Sequence, residues 1–242
     1  MLFDIIAHRI DPALEAERQP VTRRVDGLDN LVQLVAGIAD DVADSMISMI
    51  SGAMEALTVG DPSELKTDVG PVIDEAAKKV LDDHIEWLDK NAKKICRLDA
   101  PKEAANGTFV PPAFYEIKSL SQLNQENFGA ILHVVRFAND ELDKVVEAIN
   151  TTGYGLTLGL HSRIDTVRDF VETHARVGNF YVNRNQIGAV VESQPFGGEG
   201  LSGTGPKAGG PHYVARFATE RVTCIDTTAA GGNASLMAAL EG

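Results

Sequence analysis

The 242-residue sequence contains little cysteine, with Cys96 and Cys224 as its only two. They lie in the segments KKICRLD and RVTCIDTT, where apolar residues alternate as they do in a strand. Neither cysteine forms a Cys-x-x-Cys pair, flanks a histidine or lies at a glycine-rich turn, so neither has the surroundings of a nucleophile or a metal ligand. We expect two buried structural thiols and no metal site.

Long apolar runs and excess positive charge are also missing. No run approaches the roughly 18 apolar residues of a membrane-spanning helix, and the amino terminus MLFDIIAHRIDP carries acids where a signal peptide carries bases. Lys and Arg number 22 against 35 Asp and Glu, which gives a net charge of −13. This composition argues against nucleic acid and membrane partners and predicts a cytoplasmic globular protein with a solubilising acidic surface.

Two amphipathic helices are predicted in the first half of the chain. In the first, which ends at Gly60-Asp61-Pro62, apolar residues recur three or four positions apart: Val42, Met46, Ile50, Met54 and Leu57. The second is predicted to open at Gly70-Pro71 and to place these residues on one face: Ile73, Ala77, Val80, His84, Leu88 and Ala92. A lone histidine among apolar neighbours is packed more often than it is catalytic, so His84 is interpreted as structural.

Short apolar strands then alternate with helices. Strands are predicted over 94–99, 108–117, 130–137, 154–161 and 179–184, and helices over 140–149 and 165–175. This alternation predicts an α/β fold with an open, mostly parallel twisted sheet flanked by helices. Residues 221–228 are predicted to form a further strand, and the small-residue tail that follows suits an arm that pairs with a partner subunit.

The glycine-rich stretch QPFGGEGLSGTGPKAGG, residues 194–210, contains the Gly198-x-Gly200-x-x-Gly203 spacing of a dinucleotide-binding fingerprint. That fingerprint needs a strand directly before it and a helix directly after it. About fifteen residues separate it from the preceding apolar run, and Pro206 and the Gly209-Gly210-Pro211 cluster break any following helix. The stretch is therefore interpreted as a shaped loop whose backbone comes close to a ligand or to another segment.

Several segments occur in the order found in one enzyme family: VGDP (59–62), DVGPVID (68–74), QENFG (125–129), TGYGLTLGLHSR (152–163), GNFYVNRN (178–185), residues 194–213 and TTAAGGNASL (227–236). From about Val42 to Leu236 the chain resembles the carboxy-terminal part of an aldehyde dehydrogenase. More narrowly, it is similar to the glutamate-semialdehyde (pyrroline-5-carboxylate) dehydrogenase module of the bacterial proline utilization A enzymes. The resemblance implies a catalytic-domain segment over 42–220, a β oligomerisation arm over 221–242 and a leader over 1–41 that does not match the family.

The resemblance also implies a chemistry and a substrate site. In that family a thiolate attacks the aldehyde, hydride passes to NAD, and a glutamate acts as the base that hydrolyses the thioester. Ser202, Gly203 and Thr204 fall in the loop that anchors the substrate carboxylate, and Phe196 shapes that loop. Glycines suit an anion because they leave backbone N–H groups unobstructed. The implied ligand is a small carboxylate or aldehyde.

Glu126 and Phe128 correspond to the Glu-x-Phe element of the family, in which the carboxylate binds the nicotinamide ribose and the ring lies beside the nicotinamide. From the residues alone, Glu126 is interpreted as an exposed loop acid and Phe128 as a core aromatic. The sequence departs from the family at Ala130, where the family has proline, and this leaves the stiffness of the loop open.

The nucleophilic cysteine of the family lies just upstream of the helix that begins near Val42, and this sequence has no cysteine before Cys96. Residues 1–41 are also too few for a nucleotide domain of about 100 residues or more. We expect a truncated dehydrogenase module with no catalytic residue and no NAD bound by the chain alone, inactive by itself and self-associating through an uncovered apolar face. The alternatives are a carboxylate-binding or assembly protein on the same scaffold and one half of a split enzyme.

Overall fold

The computed structural model describes residues 2–6, 34–102, 104, 107–186, 192–226, 235, 238 and 239. Its strands are β1 (Leu2–Ile6), β2 (Leu34–Ala39), β3 (Lys93–Arg97), β4 (Ala113–Glu116), β5 (Ile131–Phe137), β6 (Tyr154–Gly155), β7 (Thr157–His161), β8 (Asn179–Val182) and β9 (Glu199–Gly200). Seven of them form one sheet in the order β3-β4-β5-β2-β1-β7-β8, and β6 pairs with β9 separately. β3 is antiparallel to β4, and every other pair in the large sheet is parallel. The predicted open, mostly parallel sheet is confirmed.

Four α-helices within residues 34–186 flank this sheet: α1 (Asp40–Glu55), α2 (Glu75–Asn91), α3 (Leu142–Thr151) and α4 (Asp165–His174). α1 packs on one face of the sheet, and the other three helices pack on the opposite face. Successive side chains of a strand point to opposite faces. Ala36 and Phe114 accordingly belong to the core under α1, whereas Val35 and Tyr115 belong to the cores on the other side.

The structure corrects the predicted phase of the second helix. α2 begins at Glu75, because Asp74 caps it by accepting a hydrogen bond from the backbone N–H of Ala77 over 2.7 Å. Ile73 therefore precedes the helix and is 90% exposed, and Val80 is also exposed. The buried face of α2 consists of Leu81, Ile85 and Leu88.

β1 and β2 fall inside the stretch interpreted as a leader, and they occupy the centre of the sheet. β1 pairs in parallel with β2 on one side and with β7 on the other. Ile5 is completely buried in the core shared with α3 and α4. Residues 2–6 and 34–39 are thus integral to the fold, and β2 runs directly into α1.

The predicted carboxy-terminal strand is absent over its described part, residues 221–226. These residues are exposed and no described strand pairs with them, so their side chains lack a surface to pack against. Cys224 is exposed for this reason, and the prediction that it is buried is wrong, while Cys96 on β3 is half-buried. Residues 227–234, which include the rest of that strand, lie outside the described residues. Among the described helices, none has the length and apolar character needed to cross a bilayer.

Candidate functional site

The glycine-rich loop, residues 194–213, is attached to the edge of the sheet where the parallel strands begin. β6, which directly precedes β7, pairs with β9 of the loop so that Gly155 lies opposite Glu199. The backbone N–H of Leu201 donates to the carbonyl of Gly153 over 2.9 Å. Phe196 and Ala208 exchange two backbone hydrogen bonds of 3.0 and 2.8 Å, which close the loop on itself.

Asn179, the first residue of β8, holds the start of the loop. Its Nδ2 donates to the carbonyl of Pro195 over 3.0 Å, and its Oδ1 accepts from the backbone N–H of Gly197 over 3.2 Å. The carbonyl of Gly197 in turn accepts a hydrogen bond from the ammonium of Lys207. Burial lowers the pKa of Lys207, and the nearby carboxylate of Glu199 opposes this shift. The loop is therefore fixed by side chains as well as by backbone pairing.

Ser202 takes part in the same framework. Its Oγ accepts a hydrogen bond from the backbone N–H of Gly155 over 3.1 Å, and its own N–H donates to the carbonyl of Glu199 over 3.1 Å. A hydroxyl that accepts one hydrogen bond still has its own hydrogen to donate. Ser202 can thus tether the loop and offer a donor at the same time.

Two glycines are required by the way the loop meets the sheet. A Cβ on Gly178 would lie 1.8 Å from the carbonyl oxygen of Gly197, a distance at which no side chain fits. Gly200 has a φ of 62°, a conformation that residues with side chains rarely adopt, and a Cβ there would lie 2.4 Å from the carbonyl oxygen of Gly153. The loop can lie this close to the strands only because both positions are glycine.

The loop and the short turn after it line an open cavity of about 380 Å³. Its lining residues are Gly197, Gly198, Ser202, Gly203, Thr204, Pro206, Ala208, Tyr213, Arg216 and Phe217. Ser202, Gly203 and Thr204, which the resemblance assigns to the substrate loop, are consecutive residues that line this cavity. Phe196 does not line the cavity; it is half-buried and supports the loop through its backbone pair with Ala208. The Gly-x-Gly-x-x-Gly spacing forms a strand and a turn here and opens no helix.

Glu126 and Phe128 lie in the segment that leads into β5, at the same edge of the sheet. Phe128 is 55% exposed, so its interpretation as a core aromatic is wrong, and Glu126 is half-buried. The turn is held against α2, since a Cβ on Gly129 would lie 2.5 Å from Leu81. Ala130 is buried and its carbonyl accepts from the N–H of Ala113 over 3.0 Å, which anchors the segment where the family has a proline.

The two groups of site residues are separated by the first residues of β2 and β1. In the sheet order, β5 and β7 are three strand spacings apart, which corresponds to about 14 Å. One side of this gap carries the exposed ring of Phe128, and the other side carries the cavity with Ser202 and Thr204. An extended small molecule could contact both sides.

Neither cysteine of the chain lies in this gap. Cys96 is on β3 at the outer edge of the sheet, three strands from β2, and Cys224 is in the exposed tail. Burial raises the pKa of the Cys96 thiol, with a smaller contribution from Glu55 in the same direction, and this disfavours the reactive thiolate. Within the described residues, no group of three His, Cys, Asp or Glu side chains is placed to hold a metal ion.

The described residues fit only one end of NAD. The exposed face of Phe128 suits the nicotinamide ring, and Glu126 beside it can accept hydrogen bonds from ribose hydroxyls. A pyrophosphate needs a glycine-rich turn between a strand and the first turn of a helix, and the described glycine-rich loop instead pairs with β6. When bound at Glu126 and Phe128, NAD would supply a hydride acceptor to a neighbouring substrate.

Sequence reasoning missed the residues that hold the loop in place. Asn179 and Gly178 act through partners 16 to 19 positions away, and Ser202 meets Gly155 over a separation of 47 residues. Such contacts leave no local periodicity. Arg216 stands out in the sequence as a base among apolar residues soon after the glycine-rich loop. The sequence alone does not show that Arg216 lines the cavity.

The chain is similar in sequence to known proteins over most of its length. The sequence profile of the aldehyde dehydrogenase family matches residues 35–223. Bifunctional protein PutA of Klebsiella aerogenes is 49% identical over 189 residues, 76% of this chain and 14% of that protein. The 1-pyrroline-5-carboxylate dehydrogenase of Geobacillus kaustophilus is 37% identical over 180 residues, 73% of this chain and 34% of the relative. The chain therefore spans a minor part of the length of these relatives.

Solved structures give the same result. Proline utilization A of Bradyrhizobium japonicum matches 95% of this chain with a TM-score of 0.79 and 47% identity, and the match covers 23% of that protein. A 1-pyrroline-5-carboxylate dehydrogenase from Thermus with bound NAD matches 89% of this chain with a TM-score of 0.72 and 28% identity, over 42% of its own length. NAD is thus a cofactor found in this family. The chain belongs to the aldehyde dehydrogenase family.

Proposed function

We propose that the chain forms the substrate-anchoring part of an NAD-dependent dehydrogenase that oxidises glutamate semialdehyde, or its cyclic form pyrroline-5-carboxylate, to glutamate in proline catabolism. The observation that carries this proposal is the cavity in which Ser202, Gly203 and Thr204 meet at the edge of the sheet. Hydroxyl donors in a fixed loop suit a carboxylate group, which glutamate semialdehyde carries at the end opposite its aldehyde. The similarity to enzymes of that name supports the choice of substrate.

In this proposal Ser202, Gly203 and Thr204 bind the carboxylate, and Phe196 supports the loop from behind. Glu126 and Phe128 lie on the far side of the gap and receive the nicotinamide ribose and ring. In this proposal the substrate and the nicotinamide together occupy the roughly 14 Å between β5 and β7, at the edge where β2 and β1 begin. The reacting carbon would then lie near the first residues of β1 and β2.

We propose further that the isolated chain does not turn over the aldehyde. Family chemistry begins with attack by a thiolate, and both cysteines of the chain lie away from the gap, on β3 and in the tail. Turnover would require a nucleophile and the remaining NAD-binding groups from outside these residues. The isolated chain is thus proposed to bind the carboxylate and not NAD.

The proposed organisation is a catalytic-domain segment over 42–220, together with the central strands β1 and β2 of its sheet, and an assembly arm over 221–242. Apolar side chains are exposed along the end of the described chain, with Phe217 78%, Val222 85% and Ile225 79% exposed. Exposed apolar side chains of this kind favour association, so we propose a homo-oligomer. An assembly protein that binds carboxylates on the same scaffold is the second candidate, and this apolar tail is what favours it. Location in the cytoplasm remains part of the proposal.

Two assays on the purified chain test the proposed function. Titration calorimetry with glutarate, a dicarboxylate that resembles the product without its amine, should show binding. Absorbance at the NADH band with glutamate semialdehyde and NAD should show no turnover. Turnover that persists in a Cys96→Ser, Cys224→Ser double variant would contradict the claim that the isolated chain lacks a nucleophile. Absence of glutarate binding would contradict the anchoring role.

A further inference from the structure

The strand at the centre of the sheet lies outside the part of the chain that matches the family. β1 (Leu2–Ile6) pairs in parallel with β2 on one side and with β7 on the other. The family profile matches residues 35–223, which include nearly all of β2 and the whole of β7 but not β1. We call the strand position between β2 and β7 the β1 slot. Both strands that border the slot belong to the family match, whereas the strand that fills it does not.

One residue of β1 has the chemistry that the slot requires. Ile5 is paired with Gly37 of β2 and with Leu160 of β7, and it is completely buried. It belongs to the core shared with α3 and α4, together with Val35 and Leu158. Branched apolar side chains are typical of a parallel strand that is covered by helices. On this side of the sheet the β1 slot therefore favours an apolar residue, and Ile5 provides one.

The residue before Ile5 does not have the chemistry of a central strand. Asp4 is paired with Ala36 of β2 and with Gly159 of β7. Both of these neighbours are buried, and both are small. Large and small residues alternate across facing positions in well-packed cores, so two small neighbours favour a larger apolar residue between them. Because strands in the centre of a parallel sheet are near-continuous apolar runs, an acid is poorly suited to this position.

The free energy of placing a charge between two buried strands decides which sequence fits the slot better. Removing an ionised carboxylate from water is costly unless a cation and hydrogen bonds compensate for its lost hydration. Even when a cation is present, apolar residues of similar volume often replace a buried ion pair with no loss of stability or with a gain. A strand with valine in place of Asp4 should therefore bind the β1 slot about tenfold more tightly, or better, than the sequence LFDII does.

We propose that the β1 slot is a docking site for an extended segment of a separate polypeptide that has an apolar residue at the place of Asp4. β1 is then the weaker strand, which fills the slot when that partner is absent. The partner adds a parallel strand through backbone hydrogen bonds to β2 and β7, and its alternate side chains give specificity. Residues 7–33 tether β1 to β2, and for a connection of about 27 residues the effective concentration of the tethered strand is about millimolar. A separate strand that binds tenfold more tightly displaces β1 at about a tenth of that concentration.

Two labelled peptides added to the unchanged chain test the docking site. The valine peptide, MLFVIIAH, has valine at the place of Asp4, and the aspartate peptide, MLFDIIAH, repeats the sequence of the chain. Fluorescence anisotropy should show binding of the valine peptide at about 0.1 mM and of the aspartate peptide only at about ten times that concentration. A scrambled valine peptide should not bind. Hydrogen exchange followed by mass spectrometry should show that the amides of Leu2–Ile6 lose protection when the valine peptide binds, because β1 leaves the slot.

Asp4→Val in the chain itself is the reciprocal test. It should raise the urea midpoint, because the tethered strand becomes the better one, and it should weaken binding of the valine peptide about tenfold or more. Asp99→Val, which changes an exposed acid after β3, is the matched control and should leave the affinity for the peptide unchanged. A valine peptide that fails to bind, or that binds while Leu2–Ile6 stay protected, would overturn the proposal. A lower urea midpoint in Asp4→Val, or an unchanged affinity of this variant for the valine peptide, would overturn it as well.

Discussion

The hydroxyl oxygen of Ser202 lies 3.1 Å from the backbone nitrogen of Gly155 and accepts its hydrogen bond. This contact joins the centre of the glycine-rich loop to the strand that directly precedes β7, over a separation of 47 residues. Ser202 also lines the cavity, so the side chain that is proposed to contact a ligand is the one that fixes the loop to the sheet. The proposed function therefore couples loop position to ligand binding through one hydroxyl.

Replacing Ser202 with alanine should release this contact. The N–H of the buried Gly155 would lose its acceptor, which costs about 1 to 2 kcal/mol for a buried donor. Native-state hydrogen exchange followed by NMR should show the Gly155 amide exchanging about tenfold faster or more. Ser48→Ala, on the exposed side of α1, is the control and should leave that amide unchanged. An unaltered Gly155 exchange rate in Ser202→Ala would show that the hydroxyl does not hold the loop.

A methyl group at Gly178 should separate the loop from the sheet. The new Cβ would lie 1.8 Å from the carbonyl oxygen of Gly197, and forced overpacking of this kind costs about 1 to 3 kcal/mol. Urea unfolding should show the loss of stability, and glutarate should bind more weakly because the cavity wall moves.

Gly52→Ala provides the matched control for that change. A Cβ at Gly52 meets no atom within 4 Å, and the residue is inside α1. Alanine is the better helix former, so this variant should be more stable by about 0.5 to 1 kcal/mol. Equal stability of the Gly178→Ala and Gly52→Ala variants in urea unfolding would contradict the close approach of the loop to β8.

A buried contact between two histidines, one on α2 and one on β5, should make the fold sensitive to acid. The Nε2 atoms of His84 on α2 and His133 on β5 are 2.9 Å apart, and His133 is completely buried. Burial lowers the pKa of His84 to about 4. The folded state thus binds protons less readily than the unfolded state, whose histidine titrates near 6.5. The stability that neutral His84 contributes is complete above pH 6.5 and is lost as the pH falls toward 4.

Urea midpoints measured between pH 7 and pH 4.5 test this direction. The midpoint of the unchanged chain should decrease over that range, and His84→Gln should reduce the decrease because it removes the titrating group. His212→Gln changes an exposed histidine of the loop and should retain the full decrease. If His84→Gln and the unchanged chain lose stability in parallel, the acid sensitivity arises elsewhere.

The exposed tail should control self-association. Val222 and Ile225 are 85% and 79% exposed and lie in a segment that pairs with no described strand. Changing both to aspartate should reduce the mass measured by light scattering toward that of one chain of 25.9 kDa. Thr223→Asp adds charge between them without removing apolar surface and should have a smaller effect. An unchanged mass in the double variant would show that copies of the chain associate through a surface outside the tail.

The regular part of the fold could be predicted from sequence. Apolar periodicity located α1, α3 and α4 and the strands from β3 to β8, because each of these elements buries one face or one short run. β1 escaped prediction, since the five residues of a buried parallel strand show no alternation and its partners lie 32 and 155 positions away, as in the pairs Leu2 with Leu34 and Leu2 with Thr157.

The start and the buried face of α2 were each predicted in part. Ile73 precedes the helix, because Asp74 caps it. The predicted face shared Leu88 with the observed one but contained Val80 where the structure buries Leu81 and Ile85. The candidate site stays a prediction: the resemblance indicated Ser202, Gly203 and Thr204, which line one cavity, and their binding role belongs to the proposed function. The contacts of Asn179 and Gly178 depend on how distant segments meet, which no local pattern encodes.

A crystal structure of the chain with bound glutarate tests the central claim most directly. The account predicts one carboxylate inside the cavity lined by residues 197–217, within hydrogen-bond distance of the hydroxyls of Ser202 and Thr204. The other end of the ligand should point toward the edge where β1 and β2 begin. Glutarate bound elsewhere, or a cavity that stays without ligand at saturating glutarate, would contradict the assignment of this loop as a carboxylate anchor.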